Sequence, residues 1–101
     1  MDTGMQQALF IGDEVTAAAY RLAGLAVRTP PLEEAAAELR AAMSEMPPLL
    51  LVTTEYAARL PREELIDMLA QPEPPTLTVT DAAGRGPELD LAAWIRSGIV
   101  G

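Results

Sequence analysis

A chain of 101 residues with a formal net charge of −8 makes one domain. It is long enough to bury roughly two-thirds of its unfolded surface, and its acidity argues against nucleic acid and anionic membrane surfaces as direct partners. Cys and His are absent and all seven basic residues are Arg, which removes disulfides, zinc sites, thiol nucleophiles, imidazole bases, and Walker or Schiff-base lysines. Half of the residues are apolar, so disorder is not expected. No apolar run approaches the ~20 residues of a transmembrane helix, and Met1-Asp2-Thr3-Gly4 lacks the basic segment of a signal peptide. A cytoplasmic domain without direct membrane insertion is expected.

Met1 to Gln6 reads as a lead-in. The apolar run Ala8-Leu9-Phe10-Ile11 predicts a first strand over about Gln7 to Ile11. Gly12 allows a tight turn, and Asp13 and Glu14 sit where a helix begins and complement its dipole. That helix is expected from Glu14 to Ala23, with Val15, Ala18, Ala19 and Leu22 at close to 3,4 spacing as its apolar side. It ends at Gly24, a natural left-handed residue after a helix. Leu25-Ala26-Val27 fits a second strand, and Thr29-Pro30-Pro31 a turn into a second helix from Leu32 to Met46. Leu32, Ala35, Ala36, Leu39, Met43 and Met46 share one face of it; the methionines read as core filler.

Pro47-Pro48 ends that helix. Leu49 to Thr53 is the clearest buried strand, a continuous apolar run covered on both faces as in a parallel sheet. Thr54-Glu55 begins a short helical turn through Arg59. Pro61 restarts the helix, with Leu65, Ile66, Met68 and Leu69 as its apolar side. Gln71 to Pro75 is a stiff connector. Thr76-Leu77-Thr78-Val79-Thr80 alternates polar and apolar residues and predicts an edge or half-exposed strand. Asp81 to Gly86 is a flexible turn, and Pro87 opens a last helix with Leu91, Trp94, Ile95 and Ile99 on its apolar face.

Strands separated by helices mean a parallel sheet with right-handed crossovers. The expected fold is α/β, a four-stranded parallel sheet of order 2-1-3-4 with helices on both faces, flavodoxin- or receiver-like, plus the C-terminal helix.

Ile11-Gly12-Asp13, Thr16 and Arg21-Leu22-Ala23-Gly24 resemble the opening of the F subunit of V-type (archaeal and bacterial A/V-type) rotary ATPases. That segment reads roughly Ile-Gly-Asp-x-x-Thr-x-x-Gly-Phe-Arg-Leu-Ala-Gly-Ile; here Tyr20 replaces the Phe and Ala19 the Gly. Leu-Leu-Val-Thr-Thr-Glu-Tyr-Ala at 50–57 is a second, less specific point of likeness. The resemblance runs from Leu9 to about Val100. It implies a single domain over 1–101, with 87–101 as a C-terminal helical arm and no cofactor. It also implies a non-catalytic central-stalk (rotor) protein that binds the coiled-coil shaft, the D subunit. Such a protein sits beside the catalytic A/B hexamer and the stalk-base subunit, peripheral to the membrane. There it helps couple and regulate ATP synthesis or hydrolysis with hydrogen ion or other ion transport.

Ligands of open α/β sheets bind at the carboxyl ends of the strands. Those ends carry Asp13 and Glu14, then Thr53, Thr54 and Glu55, then Thr80 and Asp81. A receiver domain would hold Mg²⁺ on Asp13 and Glu14, but Thr53 and Thr54 stand where its phosphoacceptor Asp belongs, and no Lys exists. A degenerate receiver-like interaction domain and a small Mg²⁺- or nucleotide-dependent enzyme are the alternatives; no residue is assigned to catalysis or to a metal. Gly84-Arg85-Gly86 is too short for a dinucleotide or P-loop fingerprint. The candidate partner-binding residues are Leu91, Trp94, Ile95 and Ile99. In the resembled family the C-terminal segment docks on the shaft; packed on the sheet instead, Trp94 would be core.

Overall fold

The structure, a computed structural model, describes residues 7–82. Their elements are β1 (Leu9–Ile11), α1 (Glu14–Leu22), β2 (Ala26–Arg28), α2 (Ala35–Glu45) after a 3-10 turn at Leu32–Glu34, β3 (Leu50–Thr53), α3 (Thr54–Ala57), α4 (Arg62–Ala70) and β4 (Thr76–Val79). Every strand pair is parallel, and the order is β2-β1-β3-β4. This is the expected α/β sheet of order 2-1-3-4. The segment expected to form a C-terminal helical arm, 87–101, lies outside the described residues.

Alternation along the two central strands builds two cores, because successive side chains of a strand point to opposite faces. Leu9, Ile11, Leu50 and Val52 face α2, α3 and α4, where they meet Ala35, Leu39, Ala42, Tyr56, Leu60 and Met68. Phe10 and Leu51 face α1, where they meet Ala17, with Tyr20, Leu25, Val27, Leu49 and Val79 around them. Both faces of β1 and β3 are buried, as a continuous apolar run requires.

Three helix faces differ from those the sequence predicts. In α1 the buried residues are Thr16 and Ala17, with Tyr20 half-buried. Val15, Ala18, Ala19 and Leu22, the expected apolar side, point outward. Two constraints set this rotation. The Asp13 side chain caps the helix and bonds Thr16, and the Tyr20 ring stacks on Phe10 with centroids 4.5 Å apart and planes 13° from parallel. In α2 the buried line is Ala35, Leu39 and Ala42. The helix stops at Glu45, Met46 takes the left-handed conformation (φ 54°), and its side chain is 46% exposed. It is therefore not the core filler expected, whereas Met68 is buried and Met43 half-buried. In α4, Met68 is buried and Leu65 partly so, while Ile66 and Leu69 are exposed. α4 lies against the edge strand β4, where a single line of side chains covers what is available.

The ends of α1 follow the sequence closely. Gly24 sits at φ 96°. Its N–H donates to Arg21 O and that of Leu25 to Tyr20 O, the paired bonds that close a helix at a left-handed glycine. At the far edge of the sheet, Arg28 ends β2 and clamps α2, bonding Glu45 and Glu38. The Arg28 hydrogen bond holds the Glu45 carboxyl below the usual carboxylate range.

Candidate functional site

The carboxyl ends of β1, β3 and β4 bring together Asp13, Thr16, Thr53, Tyr56 and Asp81, and the hydrogen bonds of this group run largely within the domain. Asp13 follows β1 in an extended conformation, and its carboxylate accepts from Thr16 N (2.9 Å) and from the Thr16 hydroxyl (2.8 Å). Thr16 Oγ1 in turn accepts from Ala82 N at 2.7 Å. A relay thus runs from the segment after β4, through Thr16, to the cap of α1. Thr53 ends β3 and caps α3 by accepting from Tyr56 N. The Tyr56 hydroxyl donates to Pro30 O at 2.6 Å, tying α3 to the turn before α2. Burial pushes the pKa of that hydroxyl up, and the negative charges of Asp13, Glu55 and Glu33 add to the effect. Asp81 is buried. Glu14 points away and pairs with Arg21 at 3.3 Å on the surface.

Among the described residues, no buried side-chain polar atom lacks a partner, and no three acidic side chains converge on a point where an ion could sit. What this end of the sheet does chemically is anchor: it fixes the start of α1, the start of α3 and the exit from β4. Asp13 is the residue for which cap and ligand roles compete. Asp13→Ala is expected to lower unfolding free energy by about 0.5–2 kcal/mol, the usual cost of losing a cap, whereas Asp13→Asn keeps an accepting oxygen and most of the stability. Denaturant titration with and without Mg²⁺ checks it. A carboxylate that held Mg²⁺ would fail equally as Asn, and its loss would remove a Mg²⁺-dependent gain in stability.

Grooves among the described residues also lie away from this end. One, lined by Met46, Pro47, Pro48, Pro72, Pro74 and Pro75, is at the amino ends of β3 and β4. Another lies between α2 and α4, around Arg40, Met43 and Glu64, where Arg40 forms a two-bond pair with Glu64 at 2.7 and 2.8 Å.

The candidate residues Leu91, Trp94, Ile95 and Ile99 lie outside the described residues, as does Gly84-Arg85-Gly86. Within 7–82, exposed apolar side chains stand on α1 and β4, besides Met46 after α2 and Ile66 and Leu69 on α4. Val15 is 69% and Leu22 91% exposed, with Ala18 and Ala19 between them, and Leu77 of β4 is 53% exposed. Sequence reasoning misses the outward face of α1, whereas it expects β4 to be half-exposed without singling out Leu77. In α1, Thr16, Ala17 and Tyr20 recur at helical spacing as well as Val15, Ala18, Ala19 and Leu22. Apolarity favours the second set, although the aromatic partner for Phe10 lies in the first.

The chain matches no family model and no curated protein. No helix among the described residues is long and apolar enough to cross a membrane.

Proposed function

We propose that this chain is a non-catalytic central-stalk subunit of a V/A-type rotary ATPase. It binds the coiled-coil shaft, turns with it beside the catalytic hexamer and the stalk base, and helps couple and regulate ATP turnover with ion movement. It works on the cytoplasmic side, peripheral to the membrane. The observation that carries this reading is the exposure of Leu22. The segment resembling the F subunit runs through residues 11–24, and most of its distinctive residues have work inside the domain. Gly12 makes room, Asp13 and Thr16 lock the helix start, Tyr20 stacks on Phe10, and Gly24 closes the helix. Leu22 does none of this and stands 91% exposed.

Leu22 closes an outward stripe with Val15, Ala18 and Ala19, spaced i, i+3, i+4, i+7. That is the pattern against which one partner helix lies. The two alanines in its middle let the two backbones approach to ~8 Å, the near end of helix-packing distances. A coiled-coil shaft presents such a helix along its whole length. The strand-end groups, engaged in caps and ties, support a scaffold more than an enzyme. Leu91, Trp94, Ile95 and Ile99 are the other proposed shaft contact.

The test is calorimetric titration of the chain with the purified coiled-coil shaft protein. Leu22→Glu is expected to weaken binding tenfold or more, about 1.4 kcal/mol, with an unchanged unfolding midpoint because the side chain is almost fully outside the domain. A wild-type chain that does not bind the shaft would falsify the stalk reading. Binding that survives Leu22→Glu would move the contact off α1.

A further inference from the structure

Val15 and Leu22 of α1 are the two most exposed large apolar side chains among the described residues, and Ala18 and Ala19 between them are exposed as well. The order of these four has a property that helix binding in general does not require: it reads the same in both directions. Val15 and Leu22 are equally far from the midpoint between Ala18 and Ala19. Such a face matches its own reversed copy. Under a twofold axis through that midpoint, Val15 meets Leu22 of a second copy, Ala18 meets Ala19, and every contact occurs twice. That is the condition for an isologous interface.

The charges beside the stripe obey the same symmetry. Glu14 and Arg21 are both exposed and pair with each other at 3.3 Å within the chain. Seven residues are close to two helical turns, so both stand on one flank of the stripe. The twofold axis keeps this flank on the same side in both copies while it reverses the helix direction. Glu14 then comes opposite Arg21 of the second copy, offset by only ~3 Å along the axis at 1.5 Å per residue. A copy packed parallel would place the two flanks on opposite sides and leave these charges unmatched.

We infer that a second copy of this chain covers the outward stripe of α1, with the two helices crossing antiparallel at their alanines. The inference rests on no part of the stalk reading, but it uses the same face, so the shaft and the second copy exclude each other there. Two turns of one helix fall short of the ~800 Å² per partner of a stable complex, and each copy carries a net charge of −8. The pair is therefore weak, and the chain is monomeric at low micromolar concentration.

Sedimentation equilibrium of the full chain tests this from ~10 µM to ~1 mM, the range in which weak pairs form. The wild-type mass is expected to rise from the 10.7 kDa of one chain toward twice that value and to stop there. Leu22→Glu should weaken the pair tenfold or more. So should Ala18→Leu, which makes the face more apolar but holds the two backbones apart; a loose hydrophobic association would instead tighten. Glu14→Arg and Arg21→Glu each set like charges against each other across the axis, and each should weaken self-association. An equimolar mixture of these two variants restores two opposite pairs and should dimerise at least as well as wild type. All four positions are exposed, so the fold is unaffected. A mass that stays monomeric at ~1 mM overturns the inference, as does a dimer that survives Leu22→Glu, or a mixture no tighter than either charge variant alone. A monomeric chain that binds the shaft would overturn it and leave the stalk reading standing. A dimer of this symmetry that ignores the shaft would do the reverse.

Discussion

Phe10→Ala is expected to lower the unfolding free energy by about 3–5 kcal/mol, the usual cost of removing a fully buried aromatic side chain. Against a total stability on the order of 5–15 kcal/mol this is a large share, and it should lower the thermal midpoint on the order of 15 °C or more. The size follows from the position. Phe10 has no exposed surface, lies in the central strand pair, and among the described residues is the only aromatic ring facing the α1 core from the sheet. Its loss takes away the Tyr20 stack, worth about 0.5–1.5 kcal/mol beyond area. It also frees one of the two constraints that fix the rotation of α1. Urea unfolding of the variant measures the first effect. A loss below about 1 kcal/mol, well short of the range for buried aromatics, would mean that α1 repacks with its other apolar stripe inward. Exposure of Tyr20 in the folded variant would report that rotation directly.

The sheet is legible in the sequence because its signals are local and redundant. Leu9–Ile11 and Leu50–Thr53 are short apolar runs bounded by Gly12 and by Pro47-Pro48, and helix-length segments separate them. Parallel pairing and the order 2-1-3-4 then follow from right-handed crossovers. The caps are legible for the same reason. Asp13 and Gly24 stand at helix ends, where their side chain and backbone freedom answer unpaired groups. What is not legible is which way each helix turns. Rotation is decided by a few contacts between distant residues: Tyr20 on Phe10, Thr16 under Ala82, Tyr56 on Pro30. Composition does not rank these against a rival stripe of aliphatic side chains. Strand β4 shows the same limit. Its alternation predicts a half-exposed edge strand, which it is, but not that Thr76 goes inward and Leu77 outward. The choice follows from register: Thr76 pairs with Leu50, on the face covered by α2–α4. The candidate site divides in the same way. The strand-end carboxylates and threonines are found from their places after apolar runs, whereas their mutual bonds depend on how β4 leads back to α1.

Gly12→Ala is expected to cost about 1–3 kcal/mol, the range for forcing a methyl into a packed core, and to sit at its upper end. In the sequence Gly12 reads as a turn residue. Its backbone is not in the left-handed region, the one such glycine among the described residues being Gly24, so backbone freedom is not its purpose. Space is. A Cβ at Gly12 would stand 2.6 Å from Phe10 Cζ and 2.6 Å from Thr53 Cγ2. Neither neighbour can retreat cheaply, since the Phe10 ring is stacked on Tyr20 and the Thr53 hydroxyl is bonded to the start of α3. Gly24 offers the complementary case. A Cβ there meets nothing within 4 Å, but φ is +96°, so Gly24→Ala is expected to cost about 1 kcal/mol through backbone conformation alone. A second substitution separates the two mechanisms. Thr53→Ser removes the Cγ2 methyl while keeping the hydroxyl, so it should recover part of the Gly12→Ala loss and none of the Gly24→Ala loss, as a double-mutant cycle by denaturant unfolding would show. Equal recovery at both positions, or none at either, would mean that the close approach of β1, β3 and the Phe10 ring is not what requires a glycine at position 12.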